Sequence, residues 1–135
     1  MNICDSIERI RPIGKVTCSI FHGVQVLPKK KRLIKSGFVP LPDEYWIPIN
    51  KEEAQKLILQ SICYHLEDDE KILEESKAFE LISSFVESFS DESRFVTNFD
   101  NFFECISHSY LDIAVVIENS KGVLGLICIE DSHSP

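Results

Sequence analysis

Two apolar runs near the C-terminus, separated by a few turn-forming residues, constrain this chain more than any other feature. They read LDIAVVIEN from Leu111 and VLGLICIE from Val123, joined by SKG. Leu111, Ile113, Val115 and Ile117 fall on one side of an extended chain, and Ala114 and Val116 on the other. After the turn, Val123, Ile127 and Ile129 alternate with Leu124, Leu126 and Cys128. A strand that is apolar on both faces belongs in the middle of a sheet, with material packed over each side. Asn119, Ser120, Lys121 and Gly122 suit a hairpin turn. The pattern predicts a buried antiparallel hairpin at the centre of the fold.

Two helices are predicted to cover that hairpin. Asn50 has a capping side chain and Glu53 stands three residues on, a capping-box pattern. Ala54, Leu57, Ile58, Ile62 and Leu66 then share one face, opposite Lys56, Gln60 and Glu67. His65 falls inside the apolar arc and reads as a satisfied, half-buried histidine. Glu67–Glu70 breaks the period and turns the chain. A second helix is predicted over 76–89, with Ala78, Ile82, Phe85 and Phe89 as its stripe and Glu74 and Glu75 at its positive end. Further strands are expected over 16–27, 33–39 and 94–98. Phe38–Ile49 contains Pro40, Pro42 and Pro48, so it reads as an extended connection. The whole is an α+β domain spanning 1–135, with an irregular lead-in at 1–13. The polar tail after Glu130 reads as frayed, with 132–135 outside the domain.

Composition narrows the chemistry. Residues 1–50 carry eight Lys/Arg and four Asp/Glu, a balance of +4, and residues 51–135 carry six and eighteen, a balance of −12. A net charge of −8 repels nucleic acid and favours a basic partner. Lys29–Arg32 is a basic run that reads as a solvated loop or charged edge. The N-terminal residues hold no secretory apolar core, and no run is long enough to span a bilayer. The five cysteines are odd in number and form no CxxC. Together these features predict a cytoplasmic protein with reduced thiols.

Cysteine recurs near histidine, as Cys18 with His22, Cys63 with His65, Cys105 with His108 and Cys128 with His133. On a helix Cys63 and His65 would point about 160° apart and share no ion. The other pairs have no common spacing, so no metal or cofactor is expected. A Cys105–His108 pair would need an orienting third group before it could serve a small enzyme. The carboxylates are more suggestive. Asp68, Asp69 and Glu70 sit at the turn between the helices, Asp91 and Glu92 beyond the second helix, and Asp100, Glu104, Glu130 and Asp131 near strand ends. If they converge on one rim, with Tyr45 and Trp46 as aromatic anchors, they form a surface for a basic protein partner.

The segments Trp46–Ile49, Asn50–Ala54, Asp112–Ile117 and Gly125–Asp131 give a Trp-x-Pro stretch, a capped helix and an apolar hairpin closing on Ile-Glu-Asp. Over roughly residues 45–131 this order resembles the small acidic immunity proteins of bacterial polymorphic toxin systems, including contact-dependent growth inhibition. The basic N-terminal region lies outside the resemblance. The resemblance implies a non-enzymatic inhibitor that binds one cognate toxin, often a nuclease, in the cytoplasm. It transfers no site residues. The alternatives are a small enzyme built on the Cys105–His108 pair, and a regulatory interaction module unrelated to toxins.

Overall fold

The computed structural model describes residues 2–22, 33–39, 41–89, 91–99, 106–107, 111–119 and 122–131. The elements are α1 (Ile3–Ile10), β1 (Lys15–His22), β2 (Ile47–Ile49), α2 (Lys51–Cys63), α3 (Glu75–Glu87), β3 (Arg94–Thr97), β4 (Leu111–Glu118) and β5 (Val123–Asp131), with a short 3-10 turn at Asp43–Tyr45. The fold is α+β. The strands form one antiparallel sheet in the order β1-β5-β4-β3-β2. The predicted hairpin pairs Leu111 with Asp131 at one end and Glu118 with Leu124 at the other.

Both faces of that hairpin are buried, as the alternation required. Val115, Ile117, Ile127 and Ile129 join Ile7 of α1, Ala54, Ile58 and Ile62 of α2, and Ala78, Ile82 and Phe85 of α3 in one apolar cluster. Ala114, Val116, Leu124, Leu126 and Cys128 face the other way, under Leu33, Phe38, Leu41, Trp46 and Ile106. Among the described residues, one layer is therefore made of α1, α2 and α3 and the other of short turns, bends and connections. The irregular layer is tenable because its backbone groups find partners, for example the Phe38 N–H on the Leu33 carbonyl (2.9 Å) and the Val39 N–H on the Ile106 carbonyl (2.7 Å).

The α2 capping box forms. The Asn50 side chain accepts from the Glu53 N–H (2.7 Å), and the Glu53 carboxylate accepts from the Asn50 N–H (3.0 Å). Pro48 sits in β2, an edge strand, where a missing N–H costs no interior ladder bond. At the end of α3 the Phe85 and Phe89 rings meet edge to face at 5.4 Å. Phe89 lies so close to β5 that a Cβ on Gly125 would stand 2.3 Å from its Cζ. Glycine there is a packing requirement.

Several expectations are corrected. Residues 3–10 are a helix and not an irregular lead-in: Asn2 caps it by accepting the Asp5 N–H (2.9 Å), and Ile7 is fully buried. Among the described residues, the sheet is thus packed by three helices, not two. Residues 33–39 form a helical turn and bend instead of a strand, which brings Leu33 and Phe38 to the same face. The connection before Asn50 ends in a strand, β2, paired to β3. Asp131 is not tail but the buried end of β5. The expected strand residues 23–27, the basic run Lys29–Arg32 and the tail 132–135 lie outside the described residues. Among the described residues, no helix is long and apolar enough to cross a membrane.

The Gly125–Phe89 contact makes a direct test of this packing. Gly125→Ala should lose about 1–3 kcal/mol through overpacking. Adding Phe89→Leu should recover part of that loss, because the two sites share one contact. Urea denaturation of the single and double variants measures the coupling. Strictly additive losses would show that the ring does not rest on Gly125.

Candidate functional site

A concavity lies where α2 ends, and its construction starts in the core. Arg11, just past α1, is buried, and its side chain donates five hydrogen bonds. Nε donates to the Ile62 carbonyl (3.2 Å), Nη1 to the Ile13 carbonyl (3.1 Å) and Asp131 Oδ1, and Nη2 to the Tyr64 carbonyl (3.0 Å) and Asp131 Oδ2 (2.9 Å). These are all the N–H donors a guanidinium has. The cation also caps the carbonyl end of α2, where the helix dipole favours positive charge. Burial alone would raise the Asp131 carboxyl. The Arg11 and Leu66 hydrogen bonds, with the charges of Arg11 and His65, outweigh it and hold the group below the ordinary carboxylate value.

Asp131 Oδ2 also accepts the Leu66 N–H (2.8 Å), which fastens the turn after α2 to the sheet. The His65 N–H donates to the Glu70 carbonyl (2.8 Å) and the Asp69 N–H to the His65 carbonyl (2.9 Å). The Glu70 N–H donates to the Asp68 side chain (2.9 Å), and Tyr64 bridges Lys71. Asp69 adopts a left-handed φ of 60°, a conformation that Asp tolerates better than most residues. Glu67, Asp68, Asp69 and Glu70 all project into solvent from this fastened turn.

Beside it lies a cleft of about 550 Å³ lined by Leu57, Gln60, Tyr64, His65, Asp69 and Phe99, among others. A second hollow of about 320 Å³ shares Leu57, Gln60 and Phe99 with it and continues past Lys56 and Glu53 to Ile49. The two make one groove along the exposed flank of α2. Its walls mix apolar side chains with the polar Gln60 and His65, and its rim is charged, with Asp69 at one end and Glu53 and Lys56 at the other. Such a surface suits a protein segment, with side-chain pockets along its length.

The carboxylates do not converge on one rim. Asp68, Asp69 and Glu70 stand together at the C-terminal end of α2. Asp91 stands at its N-terminal end, beside Glu87, where Lys51 meets them at 3.4 and 3.0 Å. With 13 residues at about 1.5 Å each, α2 holds these groups roughly 20 Å apart. Glu92 is exposed next to Asp91. Glu130 and Asp131 are buried, so neither is a surface contact. Trp46 is 3% exposed and holds the connection onto the sheet, whereas Tyr45 is 42% exposed. Asp100 and Glu104 lie outside the described residues, as do Cys105 and His108.

The histidine and cysteine readings also change. The α2 helix ends at Cys63, so the helical angle between Cys63 and His65 does not apply. His65 is half-buried at the cleft, but it is not satisfied: its Nδ1 has no hydrogen-bond partner among the described residues. Asp68 and Asp131 stand at 3.8 and 4.0 Å from it, beyond hydrogen-bond length. Among the described residues, no group of three His, Cys, Asp or Glu side chains is placed to hold a metal.

Arg11 and the groove residues Leu57, Gln60 and Phe99 were not singled out from the sequence as site residues. Arg11 carries no local signal, since its carboxylate partner is 120 residues away. A half-exposed flank on α2 was legible in principle, because Leu57, at the edge of the apolar face, stands one turn from Gln60 on the polar side. No protein-family model matches the sequence, and no curated protein or solved structure matches it.

Asp131 makes the stability of this site pH-dependent. Its folded-state value is depressed, so its stabilisation is fully present above the ordinary carboxylate pKa of about 3.9 and is lost as pH falls through the lower folded value. The parent should therefore weaken below about pH 4. Asp131→Asn leaves Arg11 buried without its counter-charge and should cost about 3–5 kcal/mol near neutrality. It should also flatten the acid limb. Chemical denaturation across pH 2.5–7 checks both, and a variant curve that tracks the parent would refute the linkage.

Proposed function

We propose that this chain is a non-enzymatic immunity protein that binds and neutralises a cognate bacterial toxin domain in the cytoplasm, the toxin being a basic protein such as a nuclease. One observation carries the reading: four successive exposed acidic residues, Glu67–Glu70, stand beside a partly apolar groove on a turn that is hydrogen-bonded within itself and, through the Leu66 N–H, to buried Asp131. A preorganised acidic lip attracts a basic surface and loses little conformational freedom on binding. The groove supplies the apolar contact that charge alone does not. The net charge of −8 acts in the same direction at long range. The resemblance over residues 45–131 supports the assignment to immunity proteins in particular.

Inhibition by this route requires no bond-making. The partner is steered by the acidic lip, docks a segment along α2, and is held there with its own surface covered. Contacts at the lip govern mainly the rate of encounter, and contacts with Leu57 and Phe99 govern mainly the lifetime of the complex.

The test uses the protein encoded by the neighbouring gene as the partner and surface plasmon resonance at low and high salt. Replacing Asp68, Asp69 and Glu70 by Asn, Asn and Gln should weaken binding at least tenfold, about 1.4 kcal/mol. Most of the loss should be in the association rate, and it should shrink as salt rises. Replacing Asp91 and Glu92, about 20 Å away at the other end of α2, should change binding little. Equal effects from the two sets would mean that only net charge matters. Parent-like binding by the first set at both salts would remove the acidic lip from the interface.

A further inference from the structure

The fold brings together two cysteines that the sequence pairs with histidines or with nothing. Cys4 lies on the first turn of α1 and Cys18 in the middle of β1. From Cys4 to the end of α1 is six residues, about 9 Å of helix, and from the start of β1 to Cys18 is three residues, about 10 Å of strand. Because α1 doubles back over β1, the two positions come level. The approach is fixed by a contact: Glu8 stands one helical turn after Cys4 on the same face of α1, and the Cys18 N–H donates to its carboxylate (2.9 Å). The two thiols lie near enough to influence each other's titration. Cys4 is partly exposed and Cys18 is buried, and both are free thiols.

We propose that Cys4 and Cys18 form a reversible redox site, in which a small-molecule disulfide oxidises the pair to an intramolecular disulfide that staples α1 to β1. Cys4 is the entry sulfur because it alone of the two is accessible. Its thiolate attacks one sulfur of the oxidant, forming a mixed disulfide and releasing one small thiol. Cys18 then gives up its proton, and its sulfur attacks Cys4 Sγ. That step forms the Cys4–Cys18 bond and releases the second small thiol. Two protein thiols lose two electrons and two protons, and one disulfide gains them. Cys63 and Cys128 are fully buried and do not offer an accessible sulfur.

The asymmetry of the pair sets the order of events. Burial pushes both thiols above the ordinary range, and the neighbouring Glu8 adds to this. The interaction between the two thiols works against that rise at Cys4 and with it at Cys18. Cys4 is therefore the thiol that ionises first, and the reaction quickens toward alkaline pH. The product closes a loop of about 15 residues and restricts the unfolded chain accordingly. That loop contains Arg11, so the staple also secures the segment that holds the α2 terminus. The inference does not depend on the toxin-binding reading.

The experiment treats the whole folded protein with oxidised glutathione, then uses intact mass and peptide mapping under non-reducing conditions. The parent should lose the mass of two hydrogen atoms, carry no retained glutathionyl group, and yield a Cys4–Cys18 linked peptide. Cys18→Ser should instead retain one glutathionyl group on Cys4, because the resolving sulfur is gone. Cys4→Ser should leave Cys18 unmodified while the fold is intact. The oxidised parent should melt several degrees higher than the reduced form, and dithiothreitol should reverse the shift. A glutathionyl group retained on Cys4 of the parent would overturn the proposal, as would a disulfide to any other cysteine. An oxidised parent that melts no higher than the reduced one would also sink it.

Discussion

The buried guanidinium of Arg11 is the interaction on which the rest of this structure depends. A charge removed from water is costly unless every polar group is answered. Here the side chain meets an acceptor in every direction, drawn from three separate parts of the chain: Ile13, the end of α2 at Ile62 and Tyr64, and Asp131 at the end of β5. Gly14 lies in the same knot with a φ of +68°, and a Cβ there would come within 2.5 Å of both Arg11 Nη1 and Asp131 Oδ1. No larger residue could pass at that point. The apolar layers supply most of the burial, but they are tolerant of small slips. The Arg11 knot is not tolerant, because a displaced partner leaves an unpaired charge in the interior. It therefore sets the position of α2 relative to the sheet.

A second carboxylate does comparable work on the opposite face. Asp112 is fully buried and accepts from the Asn98 amide (2.7 Å), the Ile106 N–H, and both the N–H (2.9 Å) and hydroxyl (2.6 Å) of Ser107. Asn98 returns to β4 by accepting the Ala114 N–H (2.8 Å). Asp112 and Asp131 lie on neighbouring strands, paired in register with Glu130 and Leu111 respectively, and serve different layers. Each draws donors from segments outside the sheet. One fastens the helical layer and its acidic turn, and the other fastens the irregular layer. The acidic lip proposed to meet a partner is thus an extension of the interior: Leu66 hangs from Asp131, and the exposed carboxylates follow within four residues.

Much of this was legible in the sequence wherever the signal was periodic and local. Strand alternation assigned the faces of β4 and β5 residue by residue, because a residue and its second neighbour always share a side. The capping box at Asn50 marked the start of α2 for the same reason, since all its partners lie within three residues. α1 was missed because eight residues make a helix too short to stand without tertiary support. Its stability comes from Ile7 in the core and from the approach to β1, neither of which has a local signature. The segment 33–39 was misread because β-rich composition in a short run does not distinguish a strand from a bend that buries two residues.

The acidic residues mark the boundary between the two kinds of information. The sequence by itself determined that this is an α+β chain with a two-sided apolar hairpin, a capped helix and a strongly acidic second half. Those properties follow from residue type and short-range spacing. Only the tertiary structure decided which acids are surface and which are frame. Asp131 and Asp68 look alike in sequence, each beside another acidic residue at the end of an apolar segment. One is buried because Arg11, from the far end of the chain, neutralises it there; the other projects from a turn into water. Burial of a charge depends on a partner distant in sequence, and no local pattern encodes that distance. The same reason explains the Cys4–Cys18 approach and the groove along α2, which exist only once α1 has folded back on β1 and α2 has been fixed against the sheet.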